Sequence, residues 1–215
     1  MKNLNDHKTI YIIGIGPGHT DYILPMAQKT IQAMDFIAAG KRNQEHLKLN
    51  NQEIYTIKGS LSKLKEAILE CAYDKRIGIV VSGDPSFYSL LQWTKRNFKE
   101  YTIKTIPGIS SVQYFFNQLN KSHHKSYWVS LHGRDNEYIS HLKNHRFVAL
   151  LTDANNTPYT IAKNLIYNKC IYKIYVGEDL SYTSERITSG LPKKILQRND
   201  YKPSVVIIEN ENYKG

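Results

Sequence analysis

A chain of 215 residues with 41% apolar and 22% charged side chains can bury one large core or two small ones. No apolar run approaches the ~18 residues of a membrane span, and the polar start Met1–Lys8 lacks a signal-peptide stretch, so no membrane role and a cytoplasmic location are expected. The net charge of +10 is spread evenly: residues 1–120 hold 15 Lys/Arg against 10 Asp/Glu, and residues 121–215 hold 14 against 9. With no basic tail or cluster, nucleic acid is not the expected partner, whereas an anionic small molecule suits the field.

Up to residue 119, apolar runs alternate with helix-like segments. Thr9–Ile15 reads as a strand ending in glycines, Pro25–Met34 as a helix, Phe36–Ala39 as a short strand and Arg42–Leu47 as a short helix. Ile54–Ile57 is a third strand. Leu61–Asp74 follows as a helix with Leu61, Leu64, Ala67, Ile68 and Cys71 on one stripe. Arg76–Val81, a helix from Phe87 to Asn97, Tyr101–Ile106 and a helix Ser110–Leu119 complete the series. Five strands of near-continuous apolar character indicate a parallel sheet covered on both faces.

Asn120–Ser126 is polar and aperiodic, and reads as a linker. Beyond it come strands Tyr127–Leu131, Phe147–Leu151, Ile171–Val176, a short one near Arg186–Ile187, and Ser204–Ile208. Helices are expected around Tyr138–Asn144 and over Pro158–Asn168. Late strands joined without helices make this second sheet mixed. The expected organisation is an α/β domain over 1–119, a linker over 120–126 and a second α/β domain over 127–215, with a ligand cleft between them.

Three turns at predicted strand ends carry the chemistry: Gly14-Ile15-Gly16-Pro17-Gly18, Ser82-Gly83-Asp84-Pro85 and Pro107-Gly108-Ile109-Ser110-Ser111. The first is not a dinucleotide fingerprint. His19 and Thr20 stand where the third glycine would open a helix, Pro17 removes an amide, and the second strand ends Ala38-Ala39-Gly40 with no acid. Its glycines serve either a plain tight turn or a close-approach loop for a bulky planar ligand. Asp84 can bond local backbone amides or accept from a ligand. Ser110 and Ser111 can cap a helix or, with the free amides beside them, receive a ligand.

His141 and His145, four apart, lack a completing Cys or carboxylate, so no metal is expected. Cys71 and Cys170, each in a helix-like segment, read as ordinary thiols. His132, at a strand end in His132-Gly133-Arg134, faces the expected cleft. No Ser/His/Asp triad and no phosphate-loop lysine stands out.

Together the three turns resemble those of the tetrapyrrole methylase family, and the resemblance covers nearly the whole chain. Gly40-Lys41-Arg42, Ser130-Leu131-His132-Gly133-Arg134, Leu150-Leu151-Thr152-Asp153 with Thr157-Pro158, and Val176-Gly177-Glu178-Asp179-Leu180-Ser181-Tyr182 with Glu185-Arg186-Ile187 narrow it. These are similar to motifs of the stand-alone precorrin carbon-5 methyltransferases of cobalamin biosynthesis.

The resemblance implies two α/β domains with S-adenosylmethionine in the cleft, a precorrin substrate and a homodimer. By motif match, Pro17, Ser82, Gly83, Asp84, Phe87, Ser110, Ser111, Thr152, Gly177 and Glu178 would bind the methyl donor, with Ser204 a weaker candidate. Ser82 departs from the glycine of many members. Gly14, Gly16, Gly18, Lys41, Arg42, His132 and Arg134 would face the substrate, with His132 the candidate base. Because the chain ends at Gly215, the carbon-15 methyltransferase and decarboxylase of the larger fused enzymes is expected as a separate partner. A methyltransferase of the same fold acting on another tetrapyrrole or on ribosomal RNA is the alternative.

Overall fold

The computed structural model describes residues 9–71, 75–133 and 136–213. The chain divides into two compact units, 1–110 and 111–215.

The first unit holds an all-parallel sheet in the order β3-β2-β4-β1-β5. Its strands are β1 (Thr9–Gly14), β2 (Phe36–Gly40), β3 (Glu53–Ile57), β4 (Ile77–Val81) and β5 (Thr102–Ile106). The helices are α1 (Pro25–Gln32), α2 (Lys41–Gln44), α3 (Leu61–Cys71) and α4 (Leu91–Asn97). Successive strand residues point to opposite faces. Ile10, Ile12, Phe36, Ala38, Ile77 and Ile79 accordingly pack with Leu64 and Ile68 of α3 and with Phe98 at the end of α4. On the other face Ile13, Ile37, Ala39 and Val80 pack with Ala27 and Ile31 of α1. Burial on both faces explains why β4 is wholly apolar.

The second sheet runs β6-β7-β10-β8-β9, with β6 and β7 parallel and every other pair antiparallel. Its strands are β6 (Ser126–Ser130), β7 (Phe147–Leu151), β8 (Lys173–Glu178), β9 (Arg186–Gly190) and β10 (Ser204–Glu209). One face is covered by α6 (His141–Asn144), α7 (Pro158–Tyr167) and α8 (Pro192–Ile195), through Leu142, Ile161, Leu165 and Ile195. The other receives α5 (Ser111–Gln118), whose Phe116 ring lies 5.4 Å from Phe147 and 6.2 Å from Trp128. Helix α5 therefore groups with the second sheet, ahead of the domain boundary expected after residue 119.

Some elements differ from expectation. Helix α4 begins at Leu91, not Phe87, because the Asp84 carboxylate holds a tight turn and Tyr88 takes a left-handed φ of 46°, which no α-helix accommodates. Cys170 lies beyond α7. Lys169 ends that helix at φ 57°, and the Cys170 N–H donates to Leu165 O at 2.8 Å in a Schellman motif. Helix α8 and a short 3-10 turn at Thr20–Tyr22 were not foreseen. Residues 72–74, the expected end of α3, lie outside the described residues. Among the described residues no helix is long and apolar enough to cross a membrane.

Candidate functional site

Strands β1 and β4 are neighbours, yet the chain leaves them toward opposite faces, to α1 after one and to α4 after the other. Such a topological switch point opens a crevice at the carboxyl ends of the strands, the usual ligand position in an open parallel sheet. The loops found there are the three glycine turns.

They are packed backbone to backbone. Gly16 and Gly83 form an antiparallel bridge, the Gly83 N–H donating to Gly16 O at 2.7 Å. A Cβ on Gly14 would lie 2.5 Å from Gly83 O and 2.9 Å from Gly108 N, and one on Gly108 would lie 2.2 Å from Gly83 O. No side chain fits at either position, which gives the sequence pattern its physical cause.

Asp84 fastens this cluster. Its Oδ1 accepts the Ser86 N–H at 2.7 Å and contacts the Ser86 hydroxyl, while Oδ2 accepts the Gly108 N–H at 3.3 Å. The local-amide role left open by the sequence is thus occupied. Ser110 is buried at the end of the third loop, 3.6 Å by its Cα from where a Gly83 Cβ would stand. Ser82 is exposed and its hydroxyl donates to Asn43 Oδ1 at 2.8 Å, which links the β4 loop to α2, where the exposed Lys41 and Arg42 sit. Asn43 was not singled out from sequence. Phe87 packs edge-on against Tyr88, with ring centroids 4.9 Å apart. Pro17 and Gly18 continue the first loop, and Ser111 opens α5.

In the second unit the candidates gather at one end of the sheet. Thr152, just past β7, exchanges hydrogen bonds with Ser204 at the start of β10. Its Oγ1 donates to Ser204 O at 2.9 Å and accepts the Ser204 N–H at 2.8 Å. Gly177 pairs with Val205 and Glu178 with Ser204. A Cβ on Gly177 would press Leu180 and Phe115, at 2.7 and 3.0 Å.

The Glu178 carboxylate is only 3% exposed and is already engaged. Arg198 grips it bidentately at 2.6 and 2.7 Å, Arg186 reaches it at 3.1 Å, and the Lys202 N–H donates to it at 3.1 Å. Its local task is to seat two arginines, partners that spacing alone did not reveal.

His132 is exposed after β6, and its loop is fixed by Asp153. That carboxylate accepts the N–H groups of Asn156 at 2.7 Å, Gly133 at 2.7 Å and Asn155 at 2.9 Å, which hold it down to about 2. Asp153 stood in a quoted motif without a role; an acid followed by Asn155-Asn156 at a strand end was the available signal. Arg134 lies outside the described residues. His141 stacks on Tyr127 with centroids 3.7 Å apart, and His145 Nδ1 lies 3.1 Å from His141 O, so both histidines have packing roles.

The sequence model of the tetrapyrrole (corrin/porphyrin) methylases matches residues 9–195. A cobalt-precorrin-7 C(5)-methyltransferase of Salmonella typhimurium is 32% identical over 201 residues, covering 93% of this chain and 98% of that protein. A probable cobalt-precorrin-7 C(5)-methyltransferase of Methanocaldococcus jannaschii is 33% identical over 210 residues, covering 94% and 98%. Among solved structures, the uroporphyrin-III C-methyltransferase of Thermus thermophilus, complexed with S-adenosylhomocysteine, superposes with a TM-score of 0.77 at 16% identity, covering 94% of this chain and 97% of that one.

Proposed function

The chain belongs to the tetrapyrrole methylase family, and from that premise we propose that it transfers a methyl group from S-adenosylmethionine to carbon 5 of a cobalt-precorrin-7-type ring in cobalamin biosynthesis. The observation that carries the reading is the near full-length likeness to two proteins named for that reaction.

The donor set suits the methyl donor. In the first unit the backbone-lined loops and a buried Ser110 hydroxyl offer neutral donors and acceptors, which match an amino-acid-bearing nucleoside whose sulfur already carries the positive charge. When bound, S-adenosylmethionine supplies a sulfonium-activated methyl group for in-line displacement by an electron-rich ring carbon.

The chain's own residues then have three tasks. Gly14, Gly16, Gly83 and Gly108 keep the β1, β4 and β5 loops in close register, with Asp84 holding the second to the third. Rigid loops convert a bimolecular encounter into a positioned one, at roughly 3–3.5 Å between reacting atoms, and this supplies much of the rate. Pro17, Ser82 and Phe87 in the first unit, and Ser111 in the second, extend the donor-binding surface, and Gly18 faces the substrate. Lys41 and Arg42, exposed just past β2 and tied through Asn43 to Ser82, receive carboxylates of the substrate. His132, on a loop braced by Asp153, takes up the proton that ring methylation releases.

In the second unit Thr152, Gly177 and Ser204 contribute polar edges of their own, and Glu178 acts through Arg198 and Arg186. The same reading includes a homodimer, a cytoplasmic location and a separate carbon-15 methyltransferase as partner protein. Titration calorimetry with S-adenosylhomocysteine tests the donor assignment: one site per chain supports it, and binding of a nicotinamide dinucleotide in its place contradicts it.

A further inference from the structure

At the end of the second sheet opposite Thr152 and Ser204, the chain forms an open pocket of about 580 Å3 whose lining is basic. Lys121, His124 and Lys125 come from the segment between α5 and β6, Arg146 from the residue before β7, and Tyr213 from beyond β10. Among the described residues that line it there is no Asp or Glu. The register Val205–Leu151 to Glu209–Phe147 separates the two ends by four residues, about 13 Å of extended strand.

Two of the cations are held in place from beneath. Helix α5 ends in a Schellman motif, with Asn120 at φ 51° and the Lys121 N–H donating to Phe116 O at 3.0 Å, which fixes where Lys121 leaves the helix. Its ammonium lies 3.0 Å from the buried carboxylate of Glu209 and over the rings of Phe147 and Tyr175. Arg146 approaches the same carboxylate at 3.8 Å, and the Tyr175 hydroxyl donates to it at 2.8 Å. One carboxylate thus offsets one of two seated cations. Lys125 adds a further charge, held in the left-handed region at φ 58° with its ammonium 5.9 Å from the Tyr213 ring. A lysine in that backbone region is uncommon, and such outliers concentrate where a side chain must be aimed.

A lone inorganic phosphate would leave most of the space empty, since cavities of roughly 300–1,000 Å3 take drug-sized small molecules. We propose that this pocket is a second binding site, for a small polyanion of that size presenting several phosphate or carboxylate groups. The proposal is independent of the carbon-5 assignment, because none of its residues belongs to the methyl-donor loops.

The test uses ATP as the phosphate probe and uroporphyrin as the carboxylate probe, titrated against the full chain at low and moderate salt. The variant is Lys125→Asn with His124→Ser. Asparagine tolerates the left-handed backbone, and both changes leave the Lys121–Arg146–Glu209 group intact. At least one probe should bind, weaken with salt, and lose roughly tenfold or more in the variant, as expected for charged hydrogen bonds. Affinity for S-adenosylhomocysteine should stay unchanged, which separates this site from the donor site. ATP alone binding identifies a phosphate ligand, and uroporphyrin alone a tetrapyrrole carboxylate. Competition between the two identifies a general polyanion site. Binding of neither probe, or equal binding by a variant with an unchanged melting temperature, overturns the proposal.

Discussion

The carboxylate of Asp84 accepts the backbone N–H of Gly108 at 3.3 Å, and by that contact the loop after β4 is fastened to the loop after β5. The same carboxylate holds the Ser86 N–H at 2.7 Å. Asp84→Ala should release both amides and cost about 1.5–2 kcal/mol of stability, the lower part of the range for hydrogen bonds to a charged group because the site is half exposed. Affinity for S-adenosylhomocysteine should fall further than stability does. Calorimetry on the folded variant measures this, and unaltered affinity would remove Asp84 from the positioning role.

Gly108→Ala makes a sharper test of the three-loop cluster. The added Cβ would meet Gly83 O at 2.2 Å and Gly14 C at 2.8 Å, both backbone atoms that no rotamer change can move aside. Overpacking of this kind costs about 1–3 kcal/mol, and the loops must part to relieve it. Gly177→Ala, whose neighbours are side-chain atoms of Leu180 and Phe115, should cost less. Denaturant unfolding of the two variants should rank them in that order.

Thr152→Val preserves shape but removes the acceptor of the buried Ser204 N–H and the donor to Ser204 O. A buried polar group left unsatisfied costs about 1–3 kcal/mol, and Thr152→Ser should recover most of it. Equal stability of the valine and serine variants would show that the hydroxyl is dispensable.

Two carboxylates give the protein an acid-side stability profile. The Arg76 guanidinium holds Asp35 down to about 2, and the backbone amides of Asn156, Gly133 and Asn155 do the same for Asp153, each from an ordinary 3.8. In the unfolded chain both protonate near pH 4, and in the folded chain only near pH 2. Their contribution is therefore fully present above about pH 4 and lost progressively as pH falls from there toward 2. Between those values Asp153→Asn should show a flatter loss of stability than the parent and faster exchange of the Gly133 amide already at neutral pH. Superimposable pH profiles would contradict the assignment.

Arg42→Gln should raise the tetrapyrrole KM roughly ten- to a hundredfold, the worth of one arginine–carboxylate contact, and leave affinity for S-adenosylhomocysteine within about twofold. Steady-state kinetics beside donor calorimetry separates the two effects. A loss of donor affinity would instead make Arg42 part of the methyl-donor site.

The first sheet was legible because parallel strands buried on both faces leave long apolar runs such as Ile77–Val81, and the mixed second sheet because β8 and β9 follow one another with no helix between them. The glycine turns were legible for a steric reason now visible at Gly14 and Gly108. What escaped were contacts between residues distant in sequence. Nothing near Ser82 announces Asn43, and nothing near Glu178 announces that Arg198 will take up its carboxylate. The start of α4 was misplaced because apolar periodicity from Phe87 onward cannot register the left-handed turn at Tyr88.

The most direct test of the account is transfer of a 13C-labelled methyl group from S-adenosylmethionine to cobalt-precorrin-7 by the purified chain, with the product examined by NMR. The account predicts one new labelled methyl per ring, bonded to carbon 5, and its loss in Gly108→Ala. Labelled methyl at another ring position, or label transferred to ribosomal RNA with none on the tetrapyrrole, would contradict it.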